Sequence, residues 1–395
     1  MEFVMEKAWL PILLILSLVA CCIEVDISVP GFPAMAHYFE ASEGRVQLTV
    51  ALNFLGFCLA SLVYGPLSEG WGRRRVMIVG NAILLVGAFS CVIAPSIGWL
   101  LVARFIQGIG ASASAVVVFA MIADIYRGEK AIRLVGLMNA VLTILMAFAP
   151  VVGGVINNVI GWRGNYLVVA LISLLSWMFL CWKLPETKND IRGLRVRTIA
   201  RDYGRLLSTL IFMRASLVPS LLYAAYMGFV ACASFLYMET YGLNILAYAV
   251  QQGVIVGAFS VVSIFSSHIT RCLGAKKCVF LGSLFSVIGL FSLVAFSFMA
   301  LDSPFLVTSF MVLFCIGFAL YYPLIFSASL EIYPEIKGTA SSLIMAMRAF
   351  LVASVVGMVG YFYEGGLLNV ALILLLTVIL GAVLTIGLMG ALYKK

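Results

Sequence analysis

Gly65-Pro66-Leu67-Ser68-Glu69-Gly70-Trp71-Gly72-Arg73-Arg74-Arg75 stands between two long apolar runs, 46–66 and 76–94. Three consecutive guanidiniums need water or anionic headgroups and cannot rest in hydrocarbon. Gly72 lets the chain reverse before the cations, and Gly65 lets neighbouring helices approach closely. Each flanking run has about the length of a membrane-crossing helix, roughly 20 apolar residues. The segment therefore reads as a tight basic turn joining two membrane-spanning helices.

The same pattern extends in both directions. Of the 395 residues 64% are hydrophobic and only 11% charged, and the mean hydropathy is +1.13, so lipid rather than water solvates most of the chain. Apolar runs at 9–29, 46–66, 76–94, 98–123, 134–157, 164–183, 215–238, 248–268, 278–299, 304–330, 338–362 and 367–392 predict twelve spans. The runs are continuous, whereas barrel strands would be about ten residues long with alternating polarity, so the fold class is an all-α membrane protein. The first run feeds straight into further spans without a convincing cleavage site and reads as a retained helix.

Basic residues set the orientation. With both termini inside, Lys7, Arg73 to Arg75, Arg127, Lys130, Arg133, the eight from Lys183 to Arg214, Arg271, Lys276, Lys277, Lys337, Lys394 and Lys395 are cytoplasmic; only Arg45 and Arg163 lie outside. The net charge of +8 is then explained by anionic lipid rather than nucleic acid. The nine cysteines contain no Cys-x-x-Cys pair and read as small apolar residues, so no metal site is expected.

The chain also repeats. Gly72 to Arg75 is echoed 202 residues later by Gly274-Ala275-Lys276-Lys277; Asp124-Ile125-Tyr126 is echoed by Glu331-Ile332-Tyr333; and Gly136 matches Gly338, again 202 apart. This predicts parallel six-helix repeats related by a pseudo-two-fold axis and enclosing a central polar cavity. Residues 1–184 form the N-terminal bundle, 185–214 a basic cytoplasmic linker, and 215–395 the C-terminal bundle. Within the linker, Ile199 to Leu210 reads as a short amphipathic helix on the membrane face.

The loop from Gly65 to Arg75 closely resembles the signature loop of the major facilitator superfamily, Gly-x-Leu-x-Asp-Arg-x-Gly-Arg-Arg/Lys, with Glu69 where that family usually has Asp and Gly70 in place of its Arg. Asp26-Ile27-Ser28-Val29-Pro30-Gly31-Phe32-Pro33 is similar to the Asp-x-x-x-Pro-x-x-Pro segment of bicyclomycin-resistance-type drug:proton antiporters. Arg104-Phe105-Ile106-Gln107-Gly108-Ile109-Gly110 and Phe235-Leu236-Tyr237-Met238-Glu239 are similar to the same subfamily. Ala149-Pro150-Val151-Val152-Gly153-Gly154 resembles the antiporter motif Gly-Pro-x-x-Gly-Gly, with Ala149 for its first Gly; an ordinary kinked span is the competing reading. The resemblance implies the major facilitator fold, two pseudo-symmetric six-helix bundles, and Gly65, Glu69, Gly72, Arg73, Pro150, Gly153 and Gly154 as gating residues.

An ionisable side chain costs about 2.5–3.5 kcal/mol at a helix centre, so those retained usually face a partner or a wet cavity. Glu24, Asp26, Arg104 and Arg348 form this set. Asp26 matches the subfamily's acidic position and is expected to carry the coupling proton, with Arg104 as its electrostatic tuner and Glu24 in reserve, since positions 24 and 26 are about 200° apart on a helix. Arg348 stands where its repeat-mate is the apolar Met146; it either recognises an anionic group or pairs with a carboxylate. Asp26, Gln107, Tyr223, Tyr226, Tyr321, Tyr322 and Arg348 are the candidate substrate contacts, though helix packing explains the aromatic ones equally.

Three functions compete. The first is proton-coupled export of amphipathic drugs or toxic metabolites by alternating access. The second is carriage of a defined, possibly anionic metabolite or metal chelate of siderophore type, by export or proton symport. The third is a non-transporting receptor or channel, which the repeat disfavours. No Gly-x-x-x-x-Gly-Lys-Ser/Thr loop occurs, which disfavours a primary pump. No enzyme activity or cofactor is expected. The partners are a small-molecule substrate, protons and the bilayer of a bacterial cytoplasmic membrane, with the chain acting as a monomer.

Overall fold

The computed structural model describes residues 9–126, 129–188, 196–299, 303–333, 336–388 and 390. Lys7, Arg127, Lys394, Lys395 and linker residues 189–195, on which part of the orientation reading rests, lie outside them. Fourteen α-helices are described: α1 (Trp9–Ile23), α2 (Phe32–Phe39), α3 (Glu43–Trp71), α4 (Arg73–Val92), α5 (Ile97–Ile125), α6 (Glu129–Ile160), α7 (Trp162–Lys183), α8 (Val196–Ser208), α9 (Leu210–Phe235), α10 (Ile245–Leu273), α11 (Ala275–Phe298), α12 (Pro304–Glu331), α13 (Lys337–Phe362) and α14 (Leu367–Thr385). No strand occurs among the described residues. Eleven of these helices are long and apolar enough to cross a membrane, and α1 with its continuation α2 supplies the twelfth crossing.

That first crossing differs from the continuous helix expected over 9–29. α1 ends at Ile23, residues 24–28 form turns, Val29–Gly31 make one 3-10 turn, and α2 then resumes. Pro30 and Pro33 are the cause. Neither has an N–H, so neither can donate to the carbonyl four residues before it, and two such losses in one turn break the α ladder. The tighter bonds Gly31 N–H to Ser28 O and Phe32 N–H to Val29 O take its place. Both acids of the segment, Glu24 and Asp26, fall in the break.

The packing repeats as the sequence does. In the first half α3 packs on α5, α4 on α5 and α7, and α1 on α5, α6 and α7; in the second half α10 packs on α12, α11 on α12 and α14, and α9 on α12, α13 and α14. Adding 202 residues carries α3 to α10 and the start of α4 to that of α11, and Gly72 and Gly274 share a positive φ, 96° and 83°. Contacts between halves obey the same exchange, α3 crossing α13 and α10 crossing α6. These are two pseudo-symmetric six-helix bundles.

Burial is inverted relative to a water-soluble protein. Outward faces carry apolar side chains such as Val159, Phe291 and Leu376, while Gln47, Asn53, Asn81, Gln107, Asn165 and Gln252 are buried between helices. Small residues permit the closest crossings. A side chain at Gly44 would run into the backbone of Gly360, one at Gly65 into Ser342, and one at Gly108 into the carbonyl of Asn53.

The amphipathic helix expected over 199–210 is α8, shifted to Val196–Ser208. Its Leu206 is fully buried with Phe212, Ala340, Leu343 and Ile344. Tyr203 donates to Leu62 O at 2.8 Å. Leu62 lies four residues before Pro66 within α3, so its carbonyl lacks the helical donor that any other residue at 66 would supply. The linker helix thus satisfies a backbone group that the proline leaves open.

Candidate functional site

Two clusters meet between the bundles. In the first, Glu24 accepts a hydrogen bond from Asn53 Nδ2 at 3.2 Å, and its other oxygen lies 3.6 Å from Arg104 Nη1. Arg104 Nη1 also donates to Gln107 Oε1 at 2.8 Å, to which Cys91 Sγ donates at 3.5 Å. Arg104, Glu24, Asn53 and Gln107 are all buried. The Arg-x-x-Gln-Gly spacing places Arg104 and Gln107 on adjacent turns of α5, and Gly108 admits α3 with Asn53. Tyr166 of α7 closes the cluster, the Arg104 guanidinium lying 5.7 Å from its ring centre.

Asp26 does not join this group. Its side chain is 1% exposed, and neither carboxylate oxygen has a hydrogen-bond partner among the described residues. Tyr223 and Tyr226 of α9 and Tyr248 of α10 lie within its electrostatic reach. Arg104, expected as the electrostatic tuner of Asp26, is instead engaged by Glu24. The turns at 24–28, not a helical repeat angle, direct Glu24 into its own bundle toward Asn53 and Arg104 and leave Asp26 outside that group.

The second cluster surrounds Arg348 of α13, which is half-buried. Its Nη1 donates to Tyr322 Oη at 3.0 Å, and its guanidinium lies 4.8 Å from the ring centre of Tyr223. Cys22 of α1 stands close by. Among the described residues no carboxylate lies within ion-pairing distance of Arg348. Of the two alternatives read from the sequence, the static ion pair is not formed.

An aromatic tract joins the clusters. Ring centres are 6.3 Å apart for Phe54–Tyr223 and for Tyr223–Tyr226, 6.4 Å for Tyr226–Phe318, 5.1 Å for Phe318–Tyr322 and 5.8 Å for Tyr322–Phe326. Tyr321 lies outside it, packed instead against Gly282 of α11. Sequence reading missed Asn53, Tyr248, Phe54, Phe318 and Phe326. The signal for two of them was present: Phe314, Phe318, Tyr322 and Phe326 recur every four residues along α12, which aligns them on one face.

At the end marked by the basic turns, Arg73 is buried and its Nε lies 3.1 Å from Asp124 Oδ2, while Nη1 donates to Ser68 Oγ at 2.5 Å. Glu186, at the head of the linker, accepts from the backbone N–H groups of Arg73 and Arg74 at 2.9 and 3.1 Å, so a carboxylate caps the positive end of α4. Arg74 in turn donates to the carbonyls of Leu184 and Cys181 at the C-terminal end of α7. Glu69 does not pair with Arg73. It reaches across to the first turn of α13 beside Gly338, where a helix N-terminus favours an anion. In α6, Pro150 lies within the helix, Gly153 abuts the carbonyl of Ile27, and Gly154 abuts Ala249 of α10. Apart from Pro150, these gating candidates sit at junctions between elements.

An all-helical, multi-pass chain whose two halves exchange under a two-fold relation, with charged side chains sealed at their junction, has the architecture of a secondary transporter. The chain belongs to the major facilitator superfamily, whose profile matches residues 14–358. It is 24% identical over 347 residues to a bicyclomycin resistance protein homolog of Haemophilus influenzae, covering 84% of each chain. It is 27% identical over 319 residues to the multidrug resistance protein MdtL of Salmonella heidelberg, covering 80% of this chain and 79% of that one. Among solved structures, a D-xylose–proton symporter superposes with a TM-score of 0.73 at 17% identity, covering 95% of this chain and 97% of the other, and shares its fold.

Proposed function

We propose that the chain exchanges protons for small amphipathic compounds by alternating access, exporting drugs or toxic metabolites across a bacterial cytoplasmic membrane. Residues 1–184 and 215–395 rock against each other about the site, with 185–214 as the tether. Both termini and the basic turns face the cytoplasm, and the working unit is a monomer. Drug-resistance relatives over most of the chain support the direction and the cargo class.

The observation that carries the reading is Asp26: a carboxyl group buried at the junction of the bundles, without a partner, facing tyrosines of the opposite half. Burial disfavours a lone carboxylate, so such a group takes up either a proton or a cationic cargo and releases one when it takes the other. The Glu24–Arg104 pair beside it has its charge compensated and holds the break in the first crossing to α5. Movement of that break carries Asp26 from one access side to the other.

Proteoliposomes containing a pH-sensitive dye test this. Under an imposed gradient, adding ethidium or other amphipathic compounds should produce proton flux opposite in direction to the compound, and Asp26→Asn should abolish that coupled flux while leaving the protein folded. Coupled flux at the wild-type ratio in Asp26→Asn would reject Asp26 as the proton carrier. The second reading, a carrier for a defined anionic metabolite or chelate, is favoured by one observation, the absence of a carboxylate partner for Arg348. Internal pH moving in the sense of symport with an anionic compound would select it.

A further inference from the structure

Arg348 and Asp26 are groups of opposite charge type, and neither has a counter-ion among the described residues. All the other ionisable groups in the central layer are accounted for, since Glu24 has Arg104 and Asn53, and Arg104 has Glu24 and Gln107. Tyr223 is within reach of both open charges. The Arg348 guanidinium lies over its ring at 4.8 Å, and the same tyrosine lies within the electrostatic reach of Asp26. From the elements packed around them, Arg348 is faced by Tyr322, Tyr223 and Cys22, and Asp26 by Tyr223, Tyr226 and Tyr248.

Resting on the transport reading above, we infer that the cargo of this site is a zwitterion with an aromatic body, its anionic end on Arg348 and its cationic end on Asp26. A guanidinium presents a planar fork that matches a carboxylate or phosphonate, and Tyr322 fixes one side of that fork. The hydroxyls of Tyr226 and Tyr248 and the amide of Gln252 are buried without hydrogen-bond partners, so polar groups on the cationic half of the cargo find both donors and acceptors there. Between the ends, the rings of Tyr223, Tyr226, Phe318 and Tyr322 offer faces and edges to an aromatic body.

Charge balance supplies the selectivity. A cargo with one positive charge neutralises Asp26 and leaves Arg348 in a low-dielectric site, and a cargo with one negative charge does the reverse. A zwitterion neutralises both at once. The asymmetry between the halves has the same meaning. At the position related by the repeat, α6 carries Met146, so the arginine is not needed for the packing that the two bundles share.

A charge-matched series built on phenylene and naphthylene bodies, with an aminomethyl group at one end and a carboxymethyl group at the other, tests the inference: the free amino acid as zwitterion, its amide as cation and its N-acetyl derivative as anion. Binding is measured on the full chain in lipid nanodiscs by scintillation proximity with radiolabelled compounds, alongside the ethidium-driven pH signal. Wild type should bind at least one zwitterion about ten-fold more tightly than both charged analogues. Arg348→Gln should erase the preference over the cation, Asp26→Asn should erase the preference over the anion, and Arg348→Lys should restore part of the first preference. Thermal unfolding of each variant separates these results from misfolding. No preference for either zwitterion in wild type, or a preference unchanged in folded Arg348→Gln, overturns the inference. Ethidium-driven proton flux with no zwitterion binding overturns it while the transport reading stands. Selective zwitterion binding with no proton flux for any compound supports it and overturns the proton-coupled reading instead.

Discussion

Two acids separated by a single residue, Glu24 and Asp26, occupy opposite electrostatic settings, and their substitutions should behave oppositely. Arg104→Gln leaves Glu24 as an uncompensated buried charge, a change that costs about 3–5 kcal/mol in comparable sites. Its melting temperature should fall well below that of wild type, and Glu24→Gln in the same chain should recover much of the loss. Asp26→Asn breaks no ion pair or hydrogen bond and should melt at or above the wild-type temperature. Thermal scans of wild type and the three variants in detergent, followed by tryptophan fluorescence, check the contrast. A double variant no more stable than Arg104→Gln alone would show that the pair is not coupled. The identities of both acids and the arginine were legible in the sequence because charge in an apolar run is conspicuous. Their partners were not, because which acid faces α5 depends on the turn that Pro30 and Pro33 impose.

At the scale of elements, the linker helix α8 acts through one hydroxyl. Tyr203 completes the ladder that Pro66 leaves open in α3, at a point beside Glu69 and Ser342 where α3 crosses α13. Tyr203→Phe removes that donor and keeps the ring. A net hydrogen bond contributes about 0.5–1.5 kcal/mol, so the balance of access states should shift roughly two- to twelve-fold toward separation at the basic end. Distance distributions from spin labels on the basic ends of α3 and α13 measure it, and distributions identical to wild type would remove the latch. Gly65→Val should push the same end apart more strongly, because the added side chain meets Ser342; restoration by Ser342→Gly would assign the effect to that contact. α8 itself was legible as an amphipathic stretch. Its docking to α3 was not, because Leu62 and Tyr203 are 141 residues apart.

For the whole molecule, the crossing of α3 with α13 runs from Gly44 beside Gly360 at one end to Glu69 beside Gly338 at the other. Alternating access requires these ends to separate in turn. A disulfide between Gln47→Cys and Gly360→Cys, whose Cβ positions lie 3.3 Å apart, formed in an otherwise cysteine-free chain, should stop transport, and reduction should restore it. Full transport in the oxidised state would mean that this crossing never opens. The same experiment with Glu69→Cys and Gly338→Cys probes the basic end.

Class, span positions and the internal repeat were determined by the sequence alone. Each depends on composition over about 20 residues or on spacing along the chain, and hydrocarbon admits few ways to satisfy a backbone. The clustering of Arg348 with Tyr223 and Tyr322, the diversion of Arg104 to Glu24, the turning of Tyr321 toward α11 and the capping of α4 by Glu186 were decided only by the tertiary structure. Those outcomes depend on helix rotation and on the break after Ile23. A rotation of one residue, about 100°, moves a side chain from the junction of the bundles to lipid without altering any local pattern.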